Sequence, residues 1–401
     1  MKNKPKIKRL NILVVTHKTE SFVRDLTIHT SELGNNIILY GPKPGRKDLE
    51  SILKSKVIFI PTRVRSIFTS GEKIEDQFLE KPRLEMFRHF FSTFIELYRL
   101  IKKFKIDLIH AHWVLPSGFI SSLISYLFKK PLIITAHGRS IYFNPKLGKT
   151  VPKKGYVRIL YKFVFNRMRK IIAVSKYVKE VILDLKINPS KVKIIYNGTD
   201  INQFNPSNEG DEVKDKLKIK DDFIILTVRK FFYRKGLQYL IKAISLIKKK
   251  IPNIKLIIIG YGPYESNLKA LTNKLALQNH VLFLGKIQNQ NLPPYYAASD
   301  VFVIPSLVEG FGVAAAEAMA MELPLISTNI KGLIEVSDSR NAIVIPPANE
   351  SAIADAIIKL WQDPNLRKEL GKKGRQKVLN LFNWPRAAQE YNNLYKSLIK
   401  K

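Results

Sequence analysis

The chain has 401 residues, 45% of them hydrophobic and 25% charged, which excludes a mainly disordered polymer and leaves material for two or three domains. It holds no cysteine, so disulfides, thiolate nucleophiles, Cys-zinc sites and iron–sulfur clusters are excluded. Its net charge is +35, with 39 basic against 15 acidic side chains in residues 1–200 and 29 against 18 in the remainder.

No apolar run reaches the 18 or so residues that would span a membrane. The apolar stretch after the basic N-terminus is too short for a signal peptide, so a cytoplasmic location is expected. Between Leu108 and Lys179 there are 14 Lys or Arg and no Asp or Glu. Such a field suits phosphorylated substrates, anionic lipid or nucleic acid, although a general lysine bias would also produce it.

Short apolar runs at 11–15, 37–40, 57–60, 108–110, 132–135, 171–174 and 192–196 read as strands, with helix-period segments between most of them. The rhythm resumes at 223–228, 255–260, 281–284, 301–304, 325–328 and 343–345. Alternation of this kind predicts an α/β fold: two doubly wound Rossmann-like domains, each with a parallel sheet covered on both faces, facing a cleft. The polar stretch 205–222 marks the boundary. The expected division is 1–205, 206–383 and a C-terminal helix, 384–401, that crosses back to the first domain. Ligands in such sheets bind at the carboxyl ends of the strands.

In chain order, the loop after the first strand reads Thr16-His-Lys-Thr-Glu-Ser-Phe22. The segment 87–104 places apolar residues at 87, 90, 91, 94, 98 and 101 and ends basic. It fits either a crossover helix facing the core or an interfacial helix on anionic lipid. A second basic amphipathic candidate is 158–170. His110-Ala-His-Trp113 and Thr135-Ala-His137-Gly138 end two strands of the first domain, which puts a histidine at the cleft.

In the second half, Arg229, Lys230, Arg234 and Lys235 follow a buried strand and precede Gly236. Cations at a strand's carboxyl end can grip a diphosphate. Gly260-Tyr-Gly-Pro263 ends another strand and suits a backbone held close to a ligand. Glu309-Gly-Phe-Gly-Val-Ala-Ala-Ala-Glu317 runs from a strand through a glycine loop into a small-residue helix, whose free N–H groups favour an anion. At the rise of a helix the two carboxylates stand roughly 10 Å apart, suited to hydroxyl groups at two ends of one elongated ligand. An ordinary solvated Glu pair is the bland alternative.

Together with Asn197-Gly-Thr-Asp200, Phe204, Pro206 and the segment Asn329 to Glu335, these motifs resemble retaining, nucleotide-sugar-dependent glycosyltransferases of the GT-B architecture, in glycosyltransferase family 4. The resemblance covers almost the whole chain and is strongest from residue 192 onward. It implies that Glu309 binds hydroxyls of the transferred sugar and Glu317 those of the ribose. It implies that Gly310, Phe311, Gly312 and Val313 present backbone to sugar and diphosphate. Lys235, with Arg229 or Lys230, would neutralise the diphosphate, the backbone at Ile287 would meet the base, and His137 would sit beside the sugar.

The implied catalytic set is His137, Glu309 and Lys235, with no metal and no cofactor beyond the nucleotide-diphosphate sugar substrate, UDP- or GDP-linked. The acid-free basic window and the two amphipathic segments, for their part, suggest a lipid-linked or anionic glycan as acceptor, reached from an anionic membrane surface on the cytoplasmic side. A soluble sugar or sugar phosphate acceptor, and a basic nucleic-acid-binding protein, are the alternatives, although no nucleic-acid-binding signature is present. The chain departs from the family in three places. Paired glycines are missing after the first strand, Arg139 and Ser140 follow Gly138, and Arg229-Lys230 replaces the usual Gly-Arg pair.

Overall fold

Runs such as Ile-Leu-Val-Val and Ile-Ile-Leu-Thr-Val are rich in β-branched residues and almost wholly apolar on both faces, which suits a sheet covered twice. A computed structural model, which describes residues 9–62, 84–137 and 155–399, has that arrangement. The first sheet contains β1 (Asn11–Val15), β2 (Asn36–Gly41), β3 (Val57–Pro61), β4 (Leu108–His112), β5 (Leu132–Ala136), β6 (Lys170–Ala173) and β7 (Val192–Ile194). Its order is β3-β2-β1-β4-β5-β6-β7. The second contains β8 (Phe223–Val228), β9 (Ile254–Ile259), β10 (Val281–Gly285), β11 (Val301–Ile304), β12 (Leu325–Thr328) and β13 (Ile343–Ile345), in the order β10-β9-β8-β11-β12-β13.

Every pairing within both sheets is parallel. The two Rossmann-like domains expected from the sequence are therefore present, and all thirteen strands lie where the apolar runs place them, within a residue or two at the ends. The order reverses between β1 and β4 in one sheet and between β8 and β11 in the other, and the loops beyond these switch points face one another.

The helix Trp384–Ile399 packs against the helix Ser21–Glu32 of the first domain. Two strands of chain cross side by side at this point, where the Thr199 N–H donates to the Phe382 carbonyl at 2.8 Å. Tyr391 and Tyr395 are buried beneath the first sheet's switch point.

The helix Leu84–Phe104 differs from the expected face. Its buried row is His89, Thr93, Leu97, Leu100 and Ile101, while Phe87, Phe91 and Ile95 are exposed. Phe90 and Tyr98 turn sideways to the helix Phe119–Phe128, with ring centroids 5.9 Å from Phe119 and 5.1 Å from Phe128. The apolar arc spans three neighbours instead of one: the sheet, the adjacent helix and the surface. Among the described residues no helix is long and apolar enough to cross a membrane.

Candidate functional site

Between the two domains lies a cleft of about 640 Å³, lined by the loops that leave β1, β5, β8, β9, β10 and β11. That volume is in the range of sites that enclose a small ligand.

The loop after β11 carries Glu309 into the cleft, and the loop after β8 carries the cations to meet it. Glu309 Oε2 accepts from Arg229 Nη2, and from Lys235 Nζ at 2.7 Å. Arg229 also donates to Ser306 Oγ. The three side chains are 14%, 3% and 13% exposed respectively, so the solvated-pair reading does not apply. Lys235 and Arg229 hold the Glu309 carboxyl well below the usual carboxylate range despite its burial. Burial pushes Lys235 down to about 7, with Arg229 and Arg234 adding to the effect against the pull of Glu309.

The helix Val313–Ala320 starts at Gly312, whose φ of +89° is left-handed backbone that favours glycine. Its first N–H groups have no intrahelical acceptor and open on the same cleft. Glu317 lies inward on this helix and accepts from Tyr296 Oη at 2.9 Å. Burial raises its carboxyl to about 7.

Gly260 lines the cleft, and both it and Gly262 also lie against the protein's own backbone. A Cβ on Gly260 would stand 1.7 Å from the Arg229 carbonyl oxygen, and one on Gly262 would stand 2.5 Å from that of Phe231. They hold the basic loop in place, with Phe231 N–H donating to the Tyr261 carbonyl at 2.8 Å.

The opposite wall belongs to the first domain. His137 directly follows β5 and is nearly buried, with its ring 4.4 Å from Phe22 and 4.9 Å from Trp113. Burial, then His112 and His17, pushes it well below the ordinary histidine range, so it is neutral. Lys230 Nζ crosses the cleft to Glu20 at 3.3 Å. Of the two candidates for the diphosphate grip, only Arg229 joins Lys235 at Glu309. Ile287 is half-buried on the wall beyond β10.

Comparison with known proteins matches residues 209–377 to the family model "Glycosyl transferases group 1" and residues 19–203 to "Glycosyltransferase Family 4". An uncharacterized glycosyltransferase of Methanocaldococcus jannaschii is 31% identical over 79% of this chain and 84% of its own length. The chain belongs to glycosyltransferase family 4. Another family member similar to it is the UDP-Gal:alpha-D-GlcNAc-diphosphoundecaprenol alpha-1,3-galactosyltransferase of Escherichia coli, 28% identical over 77% of this chain and 80% of that one. Among solved structures, sucrose-phosphate synthase from Thermosynechococcus elongatus superposes with a TM-score of 0.78 at 23% identity, covering 98% of this chain and 100% of that one. The architecture of this glycosyltransferase is GT-B.

The cleft brings together every site residue anticipated from the glycosyltransferase motifs: His137, Arg229, Lys230, Lys235, Ile287, Gly310, Phe311, Gly312, Val313, Glu309 and Glu317. Gly138, Arg139 and Ser140 lie outside the described residues. Sequence reasoning missed Tyr296, which comes from a short helix ahead of β11 and touches Glu317 only once the sheet is assembled. It also missed Ser306, although a serine three residues before Glu309 was readable as a polar partner. His112 was visible in its motif, but nothing in the spacing showed that it meets His137.

Proposed function

We propose that this glycosyltransferase moves a hexosyl unit, with retention, from a UDP- or GDP-linked sugar to a hydroxyl of a lipid-linked or anionic glycan. The observation that carries the reading is the meeting of Arg229 and Lys235 on Glu309 in front of the helix that starts at Gly312. Breaking a sugar–diphosphate bond develops negative charge on the leaving phosphate. Fixed cations and helix N–H groups stabilise that charge without reorganising. Held by its two cations, Glu309 keeps lone pairs for sugar hydroxyls, Glu317 takes the ribose, and neutral His137 faces the sugar from the other wall. No metal ion and no organic cofactor is part of this reading.

The acceptor side of the proposal is a peripheral position on the cytoplasmic face of an anionic membrane. The helices Leu84–Phe104, Phe119–Phe128 and Gly155–Arg167 pack side by side. They expose Phe87, Phe91, Ile95, Tyr126 and Ile159 beside Arg88, Arg158 and Arg167. Arg167 stacks 3.8 Å over Phe163. An apolar surface rimmed by cations and free of carboxylates from 108 to 179 fits anionic lipid, at about 1 kcal/mol per basic residue. The related galactosyltransferase named above acts on a diphosphoundecaprenol-linked sugar, which supports a lipid-linked acceptor.

A thermal-shift panel of UDP, GDP, ADP and their sugars tests the donor assignment. A nucleotide at 100 times its Kd should add about 2.7 kcal/mol of stability, and Lys235→Ala should remove most of the shift. Equal small shifts from all ligands, unchanged in the variant, would contradict it. Retention is checked separately by the anomeric configuration of the product.

A further inference from the structure

The proposed reaction uses His137 and leaves the histidine behind it without a task. His112 Nδ1 and His137 Nε2 are 3.0 Å apart and their rings are within 12° of parallel, which suits an imidazole–imidazole hydrogen bond. His112 is 1% exposed, and its other nitrogen, Nε2, has no hydrogen-bond partner among the described residues. Burial brings His112 down to about 3 and His137 well below the ordinary range, so both rings are neutral.

Two neutral imidazoles that share one hydrogen bond have two arrangements. If His137 donated, the proton of His112 would sit on Nε2, a buried N–H with no acceptor. If His112 donates, only a buried lone pair is left over. Orphaned buried N–H groups are the rarer of the two.

His112 is itself braced. Its ring lies 4.4 Å from that of His110. His110 is bonded at Nδ1 to Tyr395 Oη and at Nε2 to Thr135 Oγ1, both at 2.8 Å. Thr135 Oγ1 also meets Tyr391 Oη at 2.8 Å, so the C-terminal helix fixes the layer beneath.

We infer that His112 is the positioning residue of His137: its Nδ1–H donates to His137 Nε2 and fixes His137 as the Nδ1–H tautomer. His137 then carries its proton at Nδ1 and accepts at Nε2. The inference deepens the proposed role of His137 and rests on it for its catalytic meaning, though not for the tautomer itself.

The test is nitrogen NMR of the full chain with selectively labelled histidine at pH 7, the His137 signal being assigned with His137→Ala. The expected wild-type pattern is a protonated Nδ1 and an acceptor Nε2. His112→Phe, which keeps the ring and loses the donor, should release His137 into tautomer exchange. His112→Asn, whose amide can donate from nearly the same place, should restore the pattern. A protonated Nε2 in the wild type, or a pattern unchanged in His112→Phe, would overturn the inference.

Turnover is the second arm, with the sugar nucleotide that the thermal-shift panel selects. His112→Phe should lower kcat about tenfold with KM within about threefold, and His112→Asn should recover most of it. Full activity of His112→Phe beside a crippled His137→Ala would also overturn the positioning role. Full activity of His137→Ala would instead remove the proposed role of His137 and leave the tautomer standing.

Discussion

Lys235 and Arg229 both reach one oxygen of Glu309, and Arg234 lines the same cleft, so the charges of this wall sum to a positive value. Because Lys235 sits near pH 7, it loses its proton as pH rises above that point. A bound diphosphate favours the ammonium form and raises that pKa. Binding is therefore coupled to proton uptake, and affinity falls as pH rises. Isothermal titration of the selected nucleoside diphosphate should show Kd rising between about pH 7 and 9, with Lys235→Ala weaker throughout and flat over the same range. Binding by Lys235→Ala as tight as that of the wild type at every pH would remove Lys235 from the site.

Glu317 behaves in the opposite sense. Its folded-state pKa is raised from 4.5 to about 7 by burial, so the folded state keeps a proton that the unfolded state has released. This contribution to stability is full below 4.5 and is lost as pH rises to about 7. Glu317→Gln should therefore raise Tm at pH 8 by about 3 °C, leave it nearly unchanged at pH 4.5 and weaken nucleotide binding. A variant less stable at pH 8 would mean that the carboxylate has a cationic partner.

At the scale of elements, the loop that presents Glu309 is held from behind by Gly332. A Cβ there would stand 1.7 Å from the Glu309 carbonyl oxygen. Gly332→Ala should displace the loop and lower kcat/KM at least about a hundredfold, because small misplacements at a reacting centre cost that much. The shift in Tm, read by calorimetry, should be small by comparison. Equal losses of Tm and activity would point to general unfolding.

Strands were legible because a covered parallel strand is a bare apolar run, a pattern kept even in the partly exposed edge strands β3 and β10. The helix Leu84–Phe104 was legible as a helix but not in its buried face. Its apolar residues surround more than half the axis, and only the neighbours decide which row meets the sheet. The same limit applies to the site. Glu309, Glu317 and Lys235 stand out from their motifs, whereas the contact of Tyr296 with Glu317, and that of Arg229 with Glu309, span 21 and 80 residues of sequence.

Over the whole molecule, the two domains are joined at the cleft rim by polar contacts. Lys230 meets Glu20, Gln290 meets Asp48, and Glu335 accepts from the Lys176 N–H at 2.7 Å and from Tyr196 Oη at 2.9 Å. The first domain carries most of the excess charge and the exposed aromatic row. Flotation with anionic vesicles should recover the protein, neutral vesicles should not, and Phe87→Ser with Phe91→Ser should weaken partition at least about tenfold. Equal recovery from both vesicle types would contradict docking.

Where the donor lies decides which residues do the chemistry. The most direct measurement is an experimental structure of the enzyme with the selected nucleoside diphosphate sugar. It should place the diphosphate between Lys235, Arg229 and the N–H groups after Gly312, with Glu317 on the ribose and Glu309 on the sugar. A diphosphate bound elsewhere, with both glutamates making no contact to it or its sugars, would contradict the account.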